Sequence, residues 1–193
     1  MLKYLANYKS NYTFNDTNVF INKGTVESPQ WEAMFVNFTD KESFYLPQGI
    51  YTAGMVVYSR ENTAGYNTVC LPFNTTPNMF AGCKVYIYNG INNDMTSVSF
   101  REAEANEDIL AGMPILVYGN DDVKWQLGGS ELNIIGSVAE ESTGINGAFI
   151  KRTLGLGYYK LNSAGTKFVK TTASSTITPF RFYLDTDGEA PSS

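Results

Sequence analysis

The sequence contains no histidine. That single absence removes Ser-His-Asp and Cys-His nucleophile systems, histidine acid–base chemistry near neutral pH and nearly all zinc sites. Cysteine is almost absent too. Cys70 and Cys83 are the only two, too few for a Cys-rich zinc ribbon. No metal site and no cofactor is expected, and any catalysis would rest on carboxylates, Lys or Tyr. Charge is sparse: 17% of residues, with 14 Lys and Arg against 19 Asp and Glu and a formal net charge of −5. Nucleic-acid binders need clustered cations to replace phosphate counterions. Here the densest cluster is Lys151-Arg152, so a DNA or RNA partner is not expected. No apolar run approaches the roughly 20 residues of a membrane helix, so membrane insertion is not expected either.

What is present is aromatic and β-forming. Hydrophobic residues make up 43% of the chain and aromatics 14%, chiefly 13 Tyr and 12 Phe. This composition excludes a disordered chain and fits pleated, half-buried surfaces. The 193 residues suit one domain. The expectation is a single all-β domain over residues 1–193. Residues 1–43 would form entry strands and 187–193 a tail.

Short apolar runs recur between turn residues. Ala33–Phe38, Met55–Tyr58, Tyr66–Phe73 and Lys84–Tyr88 read as strands, as do Met113–Tyr118, Val123–Leu127, Ala148–Arg152, Tyr158–Leu161, Lys167–Lys170 and Ile177–Leu184. Pro47-Gln48-Gly49, Asn92-Asn93-Asp94 and Gly119-Asn120-Asp121-Asp122 are turn signatures, and Asn162–Gly165 reads as a hairpin loop. Pro72 cannot donate to a ladder and marks an edge or bulge. Glu102–Leu110 is the one stretch able to make a helical turn. Phe180, Phe182 and Leu184 alternate against Arg181 and Tyr183, a pattern typical of antiparallel sheets with one buried side. About a dozen short strands predict an antiparallel β-sandwich, with a partly open β-barrel as the alternative.

An ordered series of motifs covers about residues 44–184. Tyr58-Ser59-Arg60 leads into Tyr66-Asn67-Thr68-Val69-Cys70-Leu71-Pro72-Phe73. Then come Gly82-Cys83-Lys84-Val85-Tyr86, Ala111-Gly112-Met113-Pro114-Ile115-Leu116-Val117, Tyr159-Lys160-Leu161 and Ile177-Thr178-Pro179-Phe180-Arg181-Phe182-Tyr183. The series resembles a domain recurring in secreted and surface proteins of Bacteroidetes, of the Bacteroides and Prevotella type. Tyr66 stands where that pattern commonly has Trp, and Cys83 where Cys is not expected. The resemblance implies an extracellular or cell-surface location and brings no catalytic residues with it. The first ten residues lack the basic start and apolar stretch of a secretory signal, so an exported protein would not begin naturally at Met1. A fragment or processed form is expected.

Several residues are candidates for chemistry or binding. Cys70 and Cys83 offer a disulfide that an exported protein would allow, although Cys83 shares a face with Val85 and Ile87 while Cys70 lies opposite Val69 and Leu71. Glu102, Glu104, Glu107 and Asp108 supply carboxylates. A glycosidase pair, however, needs two carboxyl groups roughly 5–9.5 Å apart across a cleft, and four on one exposed segment read better as a solvated face. Asp185-Thr186-Asp187-Gly188-Glu189 resembles the start of a calcium loop without its later ligands, and Asp121 with Asp122 is a weaker calcium candidate. Trp31, Trp125, Tyr158 and Tyr159 offer flat faces for a sugar ring, a role that competes with filling sheet cores and edges. The expected function is a non-catalytic accessory, adhesive or structural module of an exported bacterial cell-surface protein. A carbohydrate-binding module is the first alternative and a carboxylate-dependent glycoside hydrolase the second. Partners would be host or dietary glycans or other surface proteins.

Overall fold

The computed structural model describes residues 3–5, 18–44, 46, 49–62, 64–92, 97–120, 123–138 and 144–185. In chain order the strands are β1 (Lys3–Leu5), β2 (Val19–Asn22), β3 (Trp31–Thr39), β4 (Ile50–Asn62), β5 (Gly65–Cys70), β6 (Lys84–Ile91), β7 (Val98–Glu102) and β8 (Pro114–Gly119). They continue with β9 (Val123–Ile135), β10 (Gly144–Ala148), β11 (Arg152–Thr153), β12 (Tyr158–Leu161), β13 (Phe168–Lys170), β14 (Thr176–Ile177) and β15 (Arg181–Asp185). The only helical element among the described residues is a 3-10 turn at Pro77–Met79. The helical turn expected at Glu102–Leu110 does not form. That stretch finishes β7 and then makes tight turns, one closed by Glu107 N–H donating to the Glu104 carbonyl at 3.0 Å.

The strands form three layers, which makes the fold all-β and sandwich-like, with no sheet closing into a barrel. A central sheet of order β5-β8-β6-β7 lies between a five-stranded sheet, β1-β2-β3-β4-β9, and a four-stranded one, β10-β15-β12-β13; β11 and β14 pair separately. The sequence of β8 shows why the middle sheet is covered twice. Ile115, Leu116 and Val117 are all buried, a continuous apolar run instead of an alternating one. Ile115 and Val117 join Val69, Val85 and Ile87 in a large core with Val36, Phe38, Val56, Tyr58 and Leu127 from the five-stranded sheet. Leu116 points the other way, into a second core with Ile145, Phe182 and Leu184, flanked by Tyr86, Tyr88 and Phe100.

Pairing is mostly antiparallel, with two parallel exceptions, β1–β2 and β3–β4. A parallel pair needs a crossover connection. The segment between Thr39 and Ile50 provides it for β3–β4, and two of its residues join the core: Phe44 packs edge-on against Phe38 with centroids 4.6 Å apart, and Leu46 is buried. The turn expected at Pro47-Gln48-Gly49 falls largely outside the described residues, as do Asn93-Asp94 and Asp121-Asp122. Where β4 runs beside β9, Gly128 has φ +139° and its missing Cβ lets the Val56 carbonyl approach, so a side chain there would collide with backbone.

β15 departs from the one-sided pattern expected of it. Phe182 and Leu184 do share the second core, but Tyr183 is also buried, in a third cluster with Ala148, Leu154 and Ile177. Phe180, just before the strand, enters the large core. The reversal is made at Phe180 itself, whose φ of +58° is a left-handed conformation that costs a non-glycine residue roughly 1–3 kcal/mol. Two short backbone bonds hold it there, Phe180 N–H to the Ala148 carbonyl at 2.6 Å and Cys70 N–H to the Phe180 carbonyl at 3.0 Å.

Candidate functional site: an arginine node and the cleft beside it

The sequence motifs separated along the chain meet in space. Arg60, at the buried end of the Tyr-x-Arg strand, donates from Nη1 to the Thr68 carbonyl at 2.9 Å and from Nη2 to Asn67 Oδ1 at 3.0 Å. Its guanidinium lies over the Trp125 ring, 5.4 Å from the centroid. Its Nε is 3.8 Å from Asp40 Oδ2, and the same carboxylate oxygen is 3.4 Å from Arg181 Nη2. The Arg60 side chain is fully buried, while those of Asp40 and Arg181 are 18% and 30% exposed. Tyr58 completes the node, its ring edge-on to Phe180 at 5.4 Å and its hydroxyl pKa pushed up by burial. Burial, with the repulsion of Arg60 second, pulls Arg181 below the ordinary guanidinium value. Two guanidiniums thus share one carboxylate, in surroundings where each charge is worth more than in water.

A cleft of about 570 Å³ opens beside this node. Glu61, Tyr66, Lys160, Thr178 and Arg181 line it, and Asn67 forms part of its floor. The Nε of Arg181 and Oγ1 of Thr178 are buried and have no hydrogen-bond partner among the described residues. A larger cleft of about 860 Å³ is lined mainly by apolar groups such as Ile50, Ile87, Met113, Ile135 and Ile145. None of the described residues lining it is charged.

The four aromatic candidates do not make one platform. Trp125 is 3% exposed, with its face against Arg60 and its edge on Phe80, so no ligand reaches it. Trp31 is half-buried against the large core. Tyr158 and Tyr159 alternate on β12. Tyr158 packs edge-on to Tyr183 in the third cluster, and Tyr159 packs onto the second core. The competing structural role accounts for all four rings. Tyr66, which was not singled out as a ring for sugar stacking, is 37% exposed and sits at the rim of the charged cleft, 4.9 Å from the Tyr118 ring.

Cys70 and Cys83 are free thiols and not a disulfide. Cys70 is fully buried, its Sγ 3.3 Å from the Gly112 carbonyl and against the open side of Gly147, and burial pushes its thiol pKa far up. Cys83 packs from the edge onto the large core.

Two of the four acidic candidates, Glu102 and Glu107, are engaged in surface pairs. Glu107 receives both Nη groups of Arg101 and the Glu104 N–H, which together hold its carboxyl down at about 2. Glu102 pairs with Lys84 at 3.2 Å. A general acid needs the opposite shift. Among the described residues no three His, Cys, Asp or Glu side chains group as metal ligands, and no helix is long and apolar enough to cross a membrane. The calcium candidates at Asp121-Asp122 and Asp187–Glu189 lie outside the described residues.

Asp40 escaped sequence reasoning because a lone Asp at a strand end carries no signal. Arg60 and Arg181 were legible only as letters in the motifs. The one clue was Arg181, embedded between Phe180 and Phe182, where an unpaired charge is costly to bury; Arg60, between Ser59 and Glu61, offered none. No protein-family model, curated protein or solved structure matches this chain.

Proposed function

We propose that the chain is a non-catalytic accessory, adhesive or structural module of an exported bacterial cell-surface protein. The observation carrying this reading is the convergence of the motifs on the Arg60–Asp40–Arg181 node. The residues that give the sequence its resemblance to Bacteroidetes surface domains hold layers together: Leu71, Phe73 and Phe180 fill the core, and Arg60 ties β4 to β5. A motif set used this way suits a load-carrying or display module. Incubating the chain with a panel of plant and host polysaccharides and assaying reducing ends tests the reading. No release above background is expected, and steady turnover would overturn it.

A second reading, a carbohydrate-binding module, draws on the charged cleft. Its wall combines an exposed tyrosine, hydroxyl and amide side chains and a guanidinium, the mixture of apolar face and a few polar groups that small-ligand sites use. A glycan array probed with the labelled chain tests it, and a blank array would remove it.

A further inference from the structure

Resting on that second reading, we infer that the cleft beside Arg181 binds a carboxylate-bearing sugar, with the Arg181 guanidinium receiving the carboxylate. Charge points this way first. Among the described residues lining the cleft, Arg181 and Lys160 stand against Glu61, one cation in excess. Asp40 Oδ2 behind the cleft is 3.4 Å from Arg181 Nη2 and 3.8 Å from Arg60 Nε.

The polar lining points the same way. Arg181 Nε and Thr178 Oγ1 are buried without a partner among the described residues, and both residues line the cleft. Buried polar atoms without partners are exceptions in folded proteins. A carboxylate is acceptor-only and suits the outer part of the Arg181 guanidinium, whose side chain is 30% exposed. Glu61 on the same wall sets an upper limit on ligand charge, since a phosphate dianion would meet its repulsion. Tyr66 gives a ring at the rim against which a pyranose face can lie. The volume of about 570 Å³ lies within the range of small-molecule sites, about 300–1,000 Å³. Lys160 Nζ, already donating to the Thr176 carbonyl at 3.2 Å, adds field more than a direct bond.

Calorimetric titration of the full chain with trigalacturonate, with neutral galactotriose and with a short aspartate peptide tests the inference. Trigalacturonate is expected to bind, galactotriose and the peptide to bind at least roughly tenfold more weakly, a difference typical of one lost charge-assisted contact. Raising NaCl from about 50 to 500 mM should weaken trigalacturonate binding by roughly three- to tenfold. Arg181→Lys should cost roughly tenfold or more, because a point charge does not replace the fork. Lys160→Gln, at a partly exposed position where the longer side chain is replaced by a shorter polar one, should cost roughly two- to fivefold. Equal binding of galactotriose would overturn the carboxylate assignment and leave the sugar reading standing. Equal binding of the aspartate peptide would overturn the sugar assignment. No binding of either saccharide would overturn this inference together with the carbohydrate reading, leaving the structural module.

Discussion

The backbone N–H of Cys70 donates to the carbonyl of Phe180 at 3.0 Å, and through this bond the two Pro-Phe segments of the chain become one structural unit. Cys70-Leu71-Pro72-Phe73 leaves the central sheet as Thr178-Pro179-Phe180 enters the outer one. Phe38 packs against both, stacked on Phe73 at 6.1 Å and tilted against Phe180 at 5.4 Å. Each segment ends a ladder where proline stands, and each delivers a phenylalanine to the same core.

Phe180 therefore serves three layers at once, and its loss should be among the costliest single changes. Phe180→Ala is expected to destabilise by about 3–5 kcal/mol, the range for large aromatics removed from packed cores. Urea unfolding followed by tryptophan fluorescence measures it. A loss within about 0.5 kcal/mol, the level of an ordinary surface substitution, would mean the ring is not held as described.

Gly147 lies against Cys70, and a Cβ there would collide with its sulfur. Gly147→Ala should cost about 1–3 kcal/mol by overpacking. Shortening the neighbour in the same chain, Gly147→Ala with Cys70→Ala, should recover part of that loss. Additive penalties in the double variant would contradict the contact.

The two thiols should differ in reactivity. Cys70 is buried and its pKa is raised, so it stays protonated and shielded, whereas Cys83 is partly exposed. Native protein treated with iodoacetamide at pH 8 should gain one adduct, on Cys83, and denatured protein two. No adduct in either state without prior reduction would indicate a disulfide.

Glu107 should show a low titration point. Arg101 and the Glu104 N–H hold its carboxyl at about 2, below the ordinary 4.5. A depressed folded-state pKa contributes stability above the unfolded value and loses it as protons bind. The Arg101 pair should therefore support the β7 turn above pH 4.5 and weaken progressively as pH falls toward 2. Side-chain carboxyl NMR shifts against pH give the midpoint, and one near 4.5 would remove the pair.

The all-β class, the short strands and their punctuation were legible because β-branched and aromatic residues alternate between Gly, Asn and Pro turns. Burial on both faces was harder to read. Ile115-Leu116-Val117 is a continuous apolar run, and such a run fits several architectures until its neighbours are known. At Phe180–Leu184 an apparent alternation concealed a reversal, because a left-handed phenylalanine turns its side chain into a different core from Phe182. The aromatic candidates were hard to sort for a related reason: ring chemistry is identical in a core and on a platform, and the position of Tyr66, 37% exposed beside a cleft, is not visible in the sequence. Asp40 joins partners 20 and 141 residues away, a long-range pairing that no local pattern announces.

The most direct measurement is a double-mutant cycle between Asp40 and Arg60, built from Asp40→Asn, Arg60→Gln and the pair, read by urea unfolding. If the node links the layers, each single variant loses about 2–4 kcal/mol and the two couple by more than about 1 kcal/mol, because each strands the other's charge in a partly buried site. Penalties that add within about 0.5 kcal/mol would show that the two groups do not act together, and the account of the motifs as one buried node would be wrong.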